Sequence, residues 1–583
     1  MSTEQGSEST ASRSQSPKED EMAKEKEAPR KLSRKDFVKG AAAVAGAGAL
    51  AGCAPAATPA PAPTCPPATD CPPAEECAAC PTPWLPQKWD KEVDVVVVGY
   101  GAGGAATAIT AADAGANVLI LEKAPKGLEG GNTSTCGGVI FTIIDPVRGP
   151  EYIRALVQNT CPEDVLEVAI EGSHGNLEWF PRVLGIEIAP SGSENDYPML
   201  PSGSMEFGCR HKVQRGNGSG PVLFEVLSEN VSSRSIEVMY ETPGIGLIQD
   251  GVTKEVLGVK VLEGVTTGDH PDFGYTGGKE IYVKAKRGVV LATGGFEFNQ
   301  QIYQEFWAPE STIYGLGSPF NTGDGLVMLM GAGAGLWHMG MMCGGPPFVN
   351  AAPPPGHLAM MTSAPDSSFI WVNKYGKRFI DELRPSHHGT GHVSALMVYD
   401  DKLFDYTNIP CWNVFDETTR LAGRVSRSRW ETTSGFYDWS DDNSVEIAAG
   451  WVTKADTIAE LAEKLEIDAA ALQDTVNRWN EHCAAGEDVD FGRAEAKLKP
   501  LMTPPYYAHE LCAGLRNTMG GARHNKYAQV LDAHGDVIPR LYEAGELGSI
   551  FGYLYNGGLN IGIDCMTFGR IAGETVAAES PWD

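Results

Sequence analysis

Residues 93–122 constrain this chain more than any other stretch. Residues 93–98 are a short, β-branched, almost continuous apolar run, the pattern of a parallel strand buried on both faces. The run breaks into Gly99-Tyr100-Gly101-Ala102-Gly103-Gly104, which fits G-x-G-x-x-G, and residues 105–116 then form an alanine-rich helix candidate. A second apolar run, 117–121, stops at Glu122. Strand, turn, helix, strand and acid in that order predict a dinucleotide site. The first glycine permits the bend, the second lets backbone approach a pyrophosphate, and the third lets helix pack on strand. The helix N-terminus adds N–H groups and positive potential, and Glu122 stands where an acceptor for a ribose hydroxyl is needed. In a chain with 68 glycines the motif alone is weak, and the setting makes it specific.

Further glycine-bearing segments follow in order: Gly130-Gly131-Asn132-Thr133, Ala292-Thr293-Gly294-Gly295-Phe296, Asn321-Thr322-Gly323-Asp324-Gly325, Leu541-Tyr542-Glu543-Ala544-Gly545-Glu546 and Phe568-Gly569-Arg570-Ile571-Ala572-Gly573. Each adjoins an apolar run, where backbone must come close to a flat ligand. Together, from about residue 93 to 577, they resemble the flavoprotein superfamily of fumarate reductases and succinate dehydrogenases, with urocanate reductases and 3-ketosteroid Δ1-dehydrogenases. The resemblance implies an α/β fold: a Rossmann-like FAD-binding domain (91–339 and 517–583) with an inserted α+β capping, or clamp, domain (340–516). It implies FAD as cofactor. Gly99, Gly101, Ala102, Gly103 and Gly104 would form the turn, Glu122 and Lys123 the ribose end, and Gly130, Gly131, Asn132, Thr133 and Gly138 the flavin side. Thr293, Gly294, Asp324, Glu546, Asn560 and Ile561 would complete the set. No metal ligand set is expected.

The residues before the strand read as an address. Residues 1–30 are rich in Ser, Glu and Lys without an apolar period, the composition of a disordered segment. Ser33-Arg34-Lys35-Asp36-Phe37-Val38-Lys39 resembles a twin-arginine export signal with lysine in the second arginine position, and the Gly/Ala/Val stretch 40–52 is too short to span a bilayer. Leu50-Ala51-Gly52-Cys53 resembles a lipobox, so residues 1–53 predict export and diacylation at Cys53 on the outer face of the cytoplasmic membrane. Residues 54–90 are a Pro/Ala-rich, semi-rigid spacer carrying Cys65, Cys71, Cys77 and Cys80, open to reading as thiols, disulfides, or a metal or cluster site. No C-x-x-C-H for a c-type haem occurs anywhere in the chain. Outside the membrane there is no NADH pool, so a separate cytochrome or FMN-type electron donor is expected. The net charge of −29 opposes nucleic acid and direct adhesion to anionic lipid. The uncharged run 326–349 could pass for a membrane span, but its glycines and Pro-Pro pair predict a buried helix and strand instead.

Fumarate-reducing relatives grip a dicarboxylate with histidines and arginines from the clamp, and this chain departs from that pattern. Asn517 stands where relatives carry a histidine, Asn556 where they carry an arginine, and no histidine lies near Gly344 and Gly345. The proton-donating arginine that follows V-N-x-x-G-K-R-F-x-x-E falls near Ser386, with Arg384, His387 and His388 around it. These three and Tyr555 are the candidate catalytic groups, with Asn517 and Asn556 as candidate substrate contacts. Arg210 and His211 are a weaker candidate lining pair. Two carboxylates desolvated without cations would cost several kcal/mol each, so the expected small-molecule substrate has at most one. The reading is reduction of an activated C=C bond. Dehydrogenation in the manner of the Δ1-ketosteroid enzymes, other flavin redox chemistry, and a non-enzymatic electron-transfer lipoprotein remain as alternatives.

The lipobox generates a direct test. A diacyl anchor contributes about 0.8 kcal/mol per buried CH₂. Cys53→Ala is expected to move the protein from the membrane to the soluble fraction, and equal fractionation of variant and wild type would point to another tether.

Overall fold

The computed structural model describes residues 85–582, except 146, 192–199, 201–207, 268–273, 307–312, 345–347, 352–357, 362–367, 384–392 and 427–438. Arg384, His387 and His388 therefore lie outside the described residues, as do the export signal and the cysteine-bearing spacer. All described residues belong to one compact unit.

The architecture is carried by strands β1 (Lys91–Val98), β2 (Val118–Leu121), β3 (Glu237–Met239), β4 (Val256–Thr267), β5 (Tyr275–Leu291), β6 (Tyr506–Thr518) and β7 (Val537–Glu543), and by helices α1 (Ala102–Asp113) and α2 (Met566–Ala578). In the first sheet β7, β5, β1, β2 and β3 lie side by side and all pair in parallel, while β4 pairs antiparallel with β5. β1 is central. The chain goes to one side of it for β2 and β3 and to the other for β5 and β7, so β1 marks the switch point of a doubly wound sheet, outside whose strand ends a ligand binds. Residues 95–98 are buried on both faces, Val95 and Val97 in the core around α1 and Val96 and Val98 in a second core that includes the valines of β4, which explains the unbroken valine run.

Helix α1 starts at Ala102, three residues before the sequence predicts, because Gly103 and Gly104 are used inside its first turn. A Cβ on Gly104 would lie 2.1 Å from the Gly99 carbonyl, and one on Gly103 would lie 3.2 Å from that of Ala544. Small residues continue along α1 because α2 crosses it closely: a Cβ on Gly569 would stand 2.8 Å from the Gly103 oxygen, and one on Gly573 would stand 2.6 Å from that of Thr107.

The second sheet is organised on β6, whose 13 residues pair with Ile313–Gly315, Met342–Gly344, Phe348–Ala351, Cys411–Asp416 and Val452–Ala455. Its first strand precedes the expected cap boundary at 340, and β6 runs on through the boundary at 516 to deliver Asn517 and Thr518 to the first sheet's strand ends. A third small sheet joins Ile140–Ile143, Ile188–Pro190 and Gly208–Val213. The run 326–349 supplies the end of the helix Asp324–Gly331 and then short strands, and no helix among the described residues is long and apolar enough to cross a membrane.

Gly569→Leu would force α1 and α2 apart. Overpacking of this kind costs about 1–3 kcal/mol, so the variant is expected to unfold at a lower temperature in calorimetry. An unchanged Tm would show that the helix contact is not close.

Candidate functional site

The predicted motifs converge at the C-terminal ends of the parallel strands. Gly99 follows β1, Glu122 follows β2, Ala292 to Gly294 follow β5, and Ala544 to Glu546 follow β7. Gly99 has φ of +103°, and a Cβ there would lie 2.3 Å from the Ala292 carbonyl, so the turn is pressed onto the end of β5 and only glycine fits. The groove bounded by these ends encloses about 860 Å³ of empty space, open solvent included.

Gly99, Gly101, Ala102, Gly103, Glu122, Lys123, Gly131, Asn132, Thr133, Thr293, Gly294, Asp324, Glu546, Asn560 and Ile561 all line the groove. Three expected contacts are placed behind its wall. Gly104 packs on Gly99, Gly130 faces the Phe224 ring, and Gly138 is enclosed by Gly218 and Ser219, so each shapes the groove without lining it.

Glu122 is buried and accepts N–H bonds from Tyr100 (2.9 Å) and Ala124 (2.7 Å). Burial pushes its carboxyl above the usual range, against the pull of those two bonds and of Lys123. Lys123 bridges to Asp324 at 2.7 Å and donates to the Thr322 hydroxyl at 2.6 Å, closing that end of the groove with an ion pair. The Thr133 hydroxyl accepts from Ala102 N at 3.0 Å and ties the second glycine segment to the start of α1.

A second cavity, of about 980 Å³, opens off the groove and shares Asn132, Glu546, Asn560 and Ile561 with it. Asn560 and Ile561 sit in a wide π-helical turn, Asn560–Cys565, that leads into α2. Tyr555 and Asn517 line this second cavity, as the sequence predicts. The Tyr555 hydroxyl accepts from Asn560 N (3.4 Å), and burial holds it protonated well above the ordinary phenol range. Among the described residues the Asn517 amide donates only to Met519 Sδ, at 3.8 Å.

Asn556 does not line the cavity, contrary to expectation. It is 1% exposed, and its amide is engaged on both sides: Oδ1 accepts from Arg210 Nη2 (2.7 Å), and Nδ2 donates to the Tyr152 hydroxyl (2.6 Å). The guanidinium that Asn556 holds does line the cavity, as does Arg516. The cationic contact missing at 556 is thus supplied by the strand Gly208–Val213. His211 is buried but does not line the cavity, since neighbours along a strand face opposite ways.

Sequence reasoning missed Arg516, Glu297 and Asn321. Glu297 follows the Ala292–Phe296 segment and is fully buried, with its carboxyl pushed up to about 7 by burial. An acid two residues after a glycine pair was the available signal. The described residues also bring together His482, Asp488 and Asp490, a trio with metal-ligand geometry. Its carboxylates are engaged by Arg378, 3.0 Å from Asp488, and by Arg478 on Asp490, so it reads as an ion-pair network of the cap.

The FAD binding domain family matches residues 94–560, most of the chain. The chain belongs to this family. Its fit to FAD rests on the glycine turn at the switch point, the buried acid at the end of β2 and the groove that joins them. Over 85% of its length and 76% of the relative's, the flavoprotein is 30% identical to the urocanate reductase of Eggerthella lenta. Over 84% of its length and 77% of the relative's, it is 29% identical to the fumarate reductase (cytochrome) of Shewanella frigidimarina. The crystal structure of 3-ketosteroid delta1-dehydrogenase from Sterolibacterium denitrificans shares the fold, with a TM-score of 0.70 at 23% identity, covering 84% of this chain and 100% of that one. The flavoprotein is an FAD-dependent oxidoreductase of the fumarate and urocanate reductase group, acting on carbon–carbon bonds.

Glu122→Ala removes the acceptor for two backbone N–H groups and the one expected for a ribose hydroxyl. A lost hydrogen bond to a charged group costs about 1.5–3 kcal/mol, so the Kd for FAD is expected to rise roughly ten- to hundredfold, read by flavin fluorescence on reconstitution of the apoprotein. Undiminished retention would take Glu122 off the cofactor.

Proposed function

We propose that this flavoprotein is an exported, lipid-anchored reductase of an activated C=C bond, taking electrons from a separate membrane-linked cytochrome or FMN-type carrier. The preferred acceptor carries at most one carboxylate, with a carbonyl or ring where a fumarate would carry its second. The observation that carries this reading is the second cavity: it opens off the FAD groove and sets the Arg210 guanidinium, with Arg516 also in its wall, beside neutral donors from Tyr555 and Asn517.

Bound FAD supplies two-electron hydride chemistry. The protein's part is to place the acceptor. Arg210, held by Asn556 and through it by Tyr152, presents a pre-oriented fork to a carboxylate. Tyr555 stays protonated and so donates to a carbonyl, polarising the double bond without needing a counter-charge. The proton for the neighbouring carbon is assigned to Arg384, His387 or His388. A second reading, dehydrogenation of a neutral ring ketone, is favoured by residues 555–560, which contain no charged side chain.

The test is anaerobic turnover with reduced viologen, comparing fumarate, an unsaturated monocarboxylate and a neutral enone. The monocarboxylate or the enone is expected to exceed fumarate in kcat/KM by tenfold, roughly 1.4 kcal/mol, and the reverse order sinks the proposal. Arg210→Met is expected to raise KM for the monocarboxylate roughly ten- to hundredfold, from about 1.5–3 kcal/mol of lost charge-assisted bonding, while leaving the enone little changed. Equal effects on both acceptors would remove Arg210 from carboxylate recognition.

A further inference from the structure

Two glutamates from separate strand ends meet where the FAD groove adjoins the second cavity, Glu546 lining both spaces and Glu297 buried behind it. Glu297 lies beyond the end of β5 and Glu546 beyond the end of β7, and they are 0% and 5% exposed. Their carboxyl groups converge on Gly295, and Asn132 donates to both. Gly295 leaves the room for this: a Cβ there would lie 2.3 Å from Glu546 Oε1 and 2.5 Å from Glu297 Oε2.

The surrounding donors are all neutral. Asn132 Nδ2 donates to Glu297 Oε1 and, at 2.8 Å, to Glu546 Oε2. Asn321 Nδ2 donates to Glu297 Oε1 and Thr518 N donates to Glu546 Oε1, each at 2.8 Å. Among the described residues, no N–H or O–H group donates to the buried Glu297 Oε2. Tyr303 and Cys565 face the pair from the helix Gln300–Phe306 and from the wide turn before α2, and Arg516 touches Asn132 through its carbonyl. No lysine, arginine or histidine among the described residues forms an ion pair with either glutamate.

Two carboxylates in contact, out of water and without a cation, cannot both be ionised. A proton between them answers the orphaned Oε2 as well as the charge. We propose that Glu297 and Glu546 work as one carboxyl pair that holds a single proton beside oxidised FAD and takes up a second when FAD is reduced. The balance is as follows. Two electrons from the donor and one proton leave the cofactor with one added negative charge. The pair gains one proton from solvent and loses its own negative charge, so the buried site keeps the same total charge. When a hydride leaves for the acceptor, the pair gives its second proton back. Burial supports this direction, pushing both carboxyls up, Glu297 to about 7. Glu297 is thereby a positioning residue for charge at the FAD site, whatever the acceptor.

The experiment is a spectroelectrochemical titration of the holoenzyme, following FAD absorbance with viologen mediators at pH values on either side of neutrality. Wild type is expected to take up one more proton per two electrons than Glu297→Gln, seen as a steeper fall of midpoint potential with pH. Parallel curves overturn the proposal. Reduced-minus-oxidised infrared spectra of wild type should show a protonated-carboxyl band gained on reduction. Should Glu297→Gln fail to retain FAD, that wild-type spectrum decides alone, and its lack of a carboxyl change would equally overturn the pair. Neither measurement uses an acceptor, so an error about the substrate leaves the result intact.

Discussion

The close contact between the turn after β1 and the end of β5 is the constraint on which the rest of the molecule depends. Gly99 sits so tightly on the Ala292 carbonyl that no side chain could stand there. That contact seats the β5 loop beside the glycine turn and brings Thr293 and Gly294 into the same groove as Gly101. With β2 on the other side, the strand ends fan apart at the switch point, and this opening receives the cofactor. Helix α1 can start at the turn only because α2 accepts its glycine and alanine face at close range.

A site of this kind buries polar groups, and the molecule answers several of them with a specific partner. Glu122 is met by backbone N–H groups, and Lys123 and Asp324 meet each other. The second cavity shows the same economy with the parts redistributed. Asn556, standing where the resemblance leads one to expect an arginine, positions Arg210 from another strand with its amide. A cationic wall can thus survive the loss of a cationic residue, because an amide that both accepts and donates can hold a guanidinium in place.

Much of the fold was legible before any coordinates. The valine run, the glycine turn, the alanine-rich helix and Glu122 sit in the predicted order and relation, since each is dictated by local requirements: two buried faces, a bend, a close helix, a ribose acceptor. The start of α1 was misplaced because its glycines serve packing as well as turning. Gly104, Gly130 and Gly138 illustrate the same ambiguity. A glycine that faces a ligand and one that faces a neighbouring carbonyl look alike in a sequence.

The sequence by itself determined the strand, turn, helix, strand series, the identity of the cofactor turn and the family, because these rest on short-range patterns. Only the tertiary structure decided the character of the second cavity. Arg210 and Asn556 meet across 346 positions, and Glu297 and Glu546 come from the ends of two different strands. Whether a buried amide faces a substrate or a guanidinium, and whether a glutamate stands alone or against another, depends on distances between strand ends. No local pattern encodes those distances, since they are set by how β5 and β7 pair and how the sheets pack together.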